Sequence, residues 1–209
     1  RHWANGFIFK MTSLGLFSGY EDGTFRPDAP VTQAETVALL IRVTEESDEV
    51  VDENTDENVD ENVDENVDEN TDEDVDEDVD EDVNEDVDED EAPADTPKWA
   101  EKAVLKAATK GIINVNRFHS QVQATRAQVA VMAAKALGLT PVDTTEIPFI
   151  DGLLISPEDL GYIMALHQEG IISGTPDKMF NPNSSITRAE LAVILNNVVT
   201  DPEDETTPP

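Results

Sequence analysis

The chain repeats itself three times, and that repeat is what most limits how it can fold. With Gly15, Gly111 and Gly170 in register, each glycine follows an amphipathic stretch. The stretches carry Trp3, Phe7, Ile8 and Met11; then Trp99, Ala103, Val104 and Ala107; then Tyr162, Ile163 and Leu166. This is the spacing of one helix face, and the glycine is a C-cap that ends the helix. An apolar pair follows each time: Leu16-Phe17, Ile112-Ile113 and Ile171-Ile172. The first and third copies continue in step through Gly19 and Gly174, Phe25 and Phe180, Pro27 and Pro182. Each copy then opens a second apolar helix with a capping box: Thr32-Gln33-Ala34-Glu35, Thr125-Arg126-Ala127-Gln128 and Thr187-Arg188-Ala189-Glu190. The middle copy has a loop three residues shorter and has Val115 in place of the loop glycine. The expected fold is therefore mainly α, built from three helix–loop–helix units that stack to share a core.

Between the first two copies lies a tract of a different kind. Residues 52–91 hold 25 of the chain's 47 acidic residues and none of its 13 Lys and Arg. The tract repeats a four-residue unit, as in Asp56-Glu57-Asn58-Val59. A period of four drifts round a helix by about 40° per unit and builds no straight apolar stripe. One Val in four among dense like charges buries too little to offset ordering entropy. The expectation is a solvated, extended linker. Positions four apart share a face of an extended strand, so Asp52, Asp56, Asp60, Asp64, Asp68 and Asp72 form a ladder that could weakly hold Ca²⁺, a hard cation preferring oxygen ligands. No cofactor is otherwise required. The boundaries expected are 1–45 for the first repeat, 46–97 for the acidic insert, 98–140 and 147–200 for the second and third repeats, and 201–209 for a tail.

Composition excludes several functions. A formal charge of −34 repels nucleic-acid phosphates. No apolar run approaches the roughly 20 residues that span a bilayer. Without Cys there is no disulfide and no thiolate nucleophile. There is no Gly-x-Ser-x-Gly elbow, no His-Glu-x-x-His and no phosphate-binding glycine loop, so the chain is read as a binding module and not an enzyme. His2, His119 and His167 share no metal-ligand spacing. A chain opening at Arg1 without Met reads as a processed product or a fragment.

The repeat resembles the S-layer homology family. The resemblance rests on His2-Trp3-Ala4, Gly19-Tyr20-Glu21-Asp22-Gly23-Thr24-Phe25-Arg26-Pro27 and Val31-Thr32-Gln33-Ala34-Glu35 in the first copy. Lys98-Trp99-Ala100 and Ala124-Thr125-Arg126-Ala127-Gln128 carry it in the second. Phe149-Ile150-Asp151, Asn181-Pro182 and Ile186-Thr187-Arg188-Ala189-Glu190 carry it in the third. It implies a pseudo-threefold prism that binds secondary cell-wall polysaccharide, often pyruvylated, in grooves between adjacent repeats, and an extracellular location on a bacterial wall. Carried over residue by residue, the family's ligand positions are Arg126 and Arg188, with Gln33 at the same position of the first copy; Trp3 and Trp99, with Glu158 in the third; and the loop residues Gly19, Asp22, Gly23 and Gly174.

The carry-over makes chemical sense. A pyruvyl ketal presents a carboxylate, which the planar fork of Arg suits. Arg126 and Arg188 are expected at the second helical position, where backbone amides and the helix dipole also favour an anion. Trp3 and Trp99 are read either as sugar-stacking faces or as plain core on the apolar helix face. The alternative function is structural: a subunit of a surface layer or filament, its acidic tract ordered by Ca²⁺ between copies. Polymerisation on adding Ca²⁺ to a monomer in EDTA would favour that alternative.

The acidic tract is not expected to be needed for folding. A flexible chain of about 50 residues spans about 40 Å, and closure cost grows by only about 0.6 kcal/mol per doubling of length. Replacing residues 52–91 with a short Gly/Ser linker should leave the melting temperature in EDTA unchanged. Failure of the shortened chain to fold would make the tract part of the core.

Overall fold

The computed structural model describes residues 2–49, 91–144 and 146–200, with the side chains of 46–49 left aside. The acidic ladder from Asp52 to Asp72 and the tail after 200 lie outside the described residues. Six α-helices are present among the described residues: α1 (Asn5–Ser13), α2 (Gln33–Glu49), α3 (Glu101–Thr109), α4 (Arg126–Ala136), α5 (Pro157–Gln168) and α6 (Arg188–Val199). The architecture is mainly α, as the periodicity predicts.

Local sequence sets the helix ends. Thr32 Oγ1 accepts from the Glu35 amide at 3.1 Å, and Glu35 Oε2 accepts from the Thr32 amide at 2.8 Å. Thr125 with Gln128, and Thr187 with Glu190, form the same reciprocal box. The first helices stop as expected. Gly15, Gly111 and Gly170 stand at φ of 73°, 68° and 71°. The next amide reaches back to close the last turn, as from Leu16 to the Met11 carbonyl at 3.0 Å and from Ile112 to Ala107 at 2.8 Å.

The repeats close into a ring. Each first helix packs chiefly on the second helix of the preceding repeat: α3 on α2, α5 on α4, and α1 back on α6. At the centre, three equivalent residues bond in a triangle. The Val31 amide donates to the Ile186 carbonyl (3.1 Å), Ile186 to Ala124 (3.1 Å) and Ala124 to Val31 (2.9 Å). All three side chains are buried. No repeat can complete this triangle alone, so each repeat contributes to the closure of the other two.

The ring also satisfies helix N-termini, which otherwise leave amides without partners. The amides of Gln33 and Ala34 donate to the carbonyls of Val122 and Ser120. Those of Arg126 and Ala127 donate to Ser184 and Pro182, and those of Arg188 and Ala189 to Ala29 and Pro27. The starts of α2, α4 and α6 are thus each capped by another repeat's loop.

Asp151, from the Phe-x-Asp segment, pins the third loop. Its two carboxylate oxygens accept from the Phe180 and Asn181 amides, each at 2.7 Å. Burial pushes this carboxyl up, but bonds from the amides of Phe180, Asn181 and Asp151 itself outweigh it and hold it below its ordinary value. A folded pKa below the unfolded one stabilises the fold at neutral pH. That contribution is lost as pH falls from the ordinary range near 4 through the folded value. Unfolding free energy below about pH 4 should therefore fall more steeply for the parent than for Asp151→Asn. Equal slopes in acid would contradict this role.

Candidate functional site: three unequal grooves between repeats

Ring closure distributes each repeat's residues over different grooves. One groove, of about 730 Å³, runs between α2 and α3. Its walls include the Gly19–Tyr20 lip of the first repeat, Trp99 of the second and Arg188 of the third. A second, of about 630 Å³, lies along α6 and brings together Gly174 of the third repeat, Trp3 of the first and Arg126 of the second. The third, of about 410 Å³, lies between α4 and α5, with Gln33 and Glu158 at the places of the arginine and the tryptophan, and with Asn114 rather than a loop glycine on its wall.

The two arginines differ from expectation in a useful way. Each occupies the first helical position, after a Thr cap. The amides there are already taken by neighbouring carbonyls and by Thr, so the helix start offers no amide cradle for an anion. An Arg at a helix start is disfavoured by the dipole. Here the side chain leaves the helix for the next repeat. Arg188 Nε donates to the Phe25 carbonyl (2.8 Å) and Nη2 to the Ser18 carbonyl (2.7 Å). Its guanidinium carbon lies 4.5, 4.7 and 4.6 Å from the ring centres of Phe17, Tyr20 and Phe25. Arg126 Nη2 donates to the Ser173 carbonyl at 2.8 Å, and the guanidinium carbon lies 5.3 Å from the Phe180 ring centre. Glu190 stands 3.7 Å away. Burial pushes both guanidinium groups down from their ordinary value, opposed by Glu190 at Arg126 and by Tyr20 and Glu35 at Arg188. Both arginines thus join repeats and line a groove.

The tryptophans are not core. Trp3 is 64% exposed and Trp99 61% exposed. Their helices begin two residues later, at Asn5 and Glu101, so neither follows the helix face that the apolar spacing suggests. The turn before each helix swings the indole to the groove mouth.

Gln33 does not belong to a groove of its own repeat. It is 5% exposed, and its Oε1 accepts from the His119 amide at 3.2 Å. The shortened loop brings that amide in as a donor, where the longer loops present carbonyls to Arg. An acceptor is needed, and Arg has none. The glutamine, the short loop and Glu158 all fall in the same groove.

The loop residues divide. Gly19 lines the first groove, and a Cβ there would lie 2.8 Å from the Thr24 carbonyl oxygen. Gly174 lines the second, and a Cβ there would lie 3.0 Å from the Phe149 ring. Asp22 and Gly23 line none of these three grooves. Asp22 accepts from the Thr24 amide and hydroxyl and from Arg26 Nη2. Hydrogen bonds from Thr24 and then Arg26 hold its carboxyl far below the usual range. Gly23 has φ of 79° for the turn. These two residues shape the loop that carries the Gly19–Tyr20 lip. Sequence reasoning missed Tyr20, Arg42, Lys102 and Asn197 as groove residues; Arg42 and Asn197 occupy the same offset from their capping Thr, which was the available signal.

Gly19→Ala should cost about 1–3 kcal/mol, because the obstacle is backbone and cannot rotate away. Thermal unfolding checks it, and an unchanged melting temperature would contradict the close approach.

Among the described residues no three His, Cys, Asp or Glu side chains gather to hold a metal ion, and no helix is long and apolar enough to cross a membrane.

Comparison with known proteins agrees with the ring of repeats. The family model of the S-layer homology domain matches residues 1–37, 92–130 and 151–192. Cell surface glycoprotein 1 of Acetivibrio thermocellus is 54% identical over 44 residues, which are 21% of this chain and 2% of that protein. The cellulosome-anchoring protein of the same organism is 46% identical over 44 residues, 21% of this chain and 10% of that protein. The aligned stretch is a small part of either relative.

Proposed function

Because the chain belongs to the S-layer homology domain family, with three matched repeats, we propose that it anchors a surface protein to a bacterial cell wall by holding secondary wall polysaccharide in its inter-repeat grooves. The role is binding, and the location is the cell surface. The observation that carries the reading is the convergence of a guanidinium, an exposed indole and a glycine lip in each of two grooves, although the three come from three different repeats. Exposed indole faces suit the C–H surfaces of sugars, and a glycine lip lets a ligand approach backbone. A pyruvyl carboxylate on the polymer would meet the positive end of the groove. The relatives named for a cell surface and for anchoring are in keeping with this role.

The test is sedimentation of the full chain with purified walls, before and after chemical removal of their secondary polymer. Binding that disappears with the polymer supports the proposal. Equal binding to stripped peptidoglycan contradicts it.

A further inference from the structure

The three grooves differ in charge more than in shape. The α2/α3 groove is lined by four cations, Arg188, Arg42, Lys102 and Lys106, against two carboxylates, Glu35 and Glu45. The α6 groove has Arg126 against Glu190, and its other polar walls are amides and hydroxyls such as Asn181, Asn197 and Thr175. The α4/α5 groove has Arg117 and Lys135 against Glu158 and Asp159. Among the described residues, the first of these alone carries excess positive charge.

The internal pairing sharpens that contrast. Lys106 pairs with Glu45, and Glu35, bonded to the Thr32 amide as Glu190 is to the Thr187 amide, keeps its charge and offsets Arg188. Lys102 is exposed and makes no side-chain hydrogen bond or ion pair among the described residues. Among the described residues Arg42 reaches the Leu16 carbonyl alone, at 3.4 Å. Two cations are therefore left facing the groove beside Arg188, whose two bonds are spent on the first repeat's loop. In the α6 groove Glu190 faces Arg126 and offsets it. A concave wall with an excess of one sign of charge focuses its field on a bound ion.

Resting on the anchoring reading, we propose that the grooves are specialised. The α2/α3 groove takes the carboxylate-bearing sugar of the polymer, with Lys102 and Arg42 setting that requirement. The α6 groove takes an uncharged sugar unit, recognised through Asn181 and Asn197. Anion selectivity thus lies with residues outside the capping-box motif.

The experiment titrates the full chain, followed by NMR, with two probes: a methyl hexoside carrying a 4,6-O-pyruvyl ketal, and the same hexoside without it. Lys102→Glu should weaken the ketal probe about tenfold and remove most of its salt dependence, with a much smaller loss for the plain hexoside; equal losses for the two probes overturn the specialisation. Asn197→Ala should weaken the plain hexoside and spare the extra affinity that the ketal gives. Ketal affinity indifferent to Lys102→Glu but lowered by Arg126→Ala, in a folded variant, overturns the specialisation alone. If the parent chain binds neither probe nor the purified polymer, the anchoring reading falls and takes this inference with it.

Discussion

Arg188→Ala should lower the unfolding free energy by about 3 kcal/mol or more and should do so without any glycan present. The side chain makes two charge-assisted bonds to carbonyls of the first repeat. Each such bond is worth about 1.5–3 kcal/mol, and truncation leaves both carbonyls without this partner. It also empties the space among Phe17, Tyr20 and Phe25. These bonds join residues 163 and 170 positions apart in sequence, so their loss loosens the closure of the ring. Arg126→Ala should cost less, because it gives up one carbonyl bond and a long ion pair. Denaturant unfolding of the two variants checks the order. Full stability of Arg188→Ala would show that the ring does not depend on it. Loss of wall binding in that variant is interpretable only beside its stability.

The double variant Trp3→Ala, Trp99→Ala separates the two roles cleanly. Both indoles are mostly exposed, so stability should change by no more than about 0.5 kcal/mol. Wall binding should fall about a hundredfold. Covering an aromatic face on a sugar is worth about 1–2 kcal/mol, and two grooves engaging one polymer chain multiply their losses. Each single variant should show a partial loss. A double variant that folds and binds as the parent does would remove the grooves from the account.

Much of this fold is legible in the sequence because its signals are local. Thr-x-x-Glu boxes and glycine stops act within four to six residues, and the structure carries each where the spacing puts it. The grooves are not legible in the same way. Trp3 and Arg126 lie in different repeats, as do Trp99 and Arg188, and only ring closure brings them together. Reading copy by copy makes Gln33 a lost ligand of the first repeat. In the ring it is an acceptor matched to the second repeat's short loop. The indoles are ambiguous in the sequence because an apolar spacing looks the same whether it begins inside a helix or in the turn before it. Asp22 and Gly23 stand within the motif, yet their side chain and backbone serve the loop itself.

Trp3 and Trp99 are the only two tryptophans in the chain, and each stands at the mouth of a groove. Intrinsic tryptophan fluorescence therefore reports groove occupancy with no added label. Titrating the full chain with purified secondary wall polysaccharide should quench or blue-shift the emission saturably, with the same midpoint as wall sedimentation. Polysaccharide-free peptidoglycan should leave the spectrum unchanged. Saturable binding to the polymer with no change in emission would place the ligand away from the grooves and contradict the account.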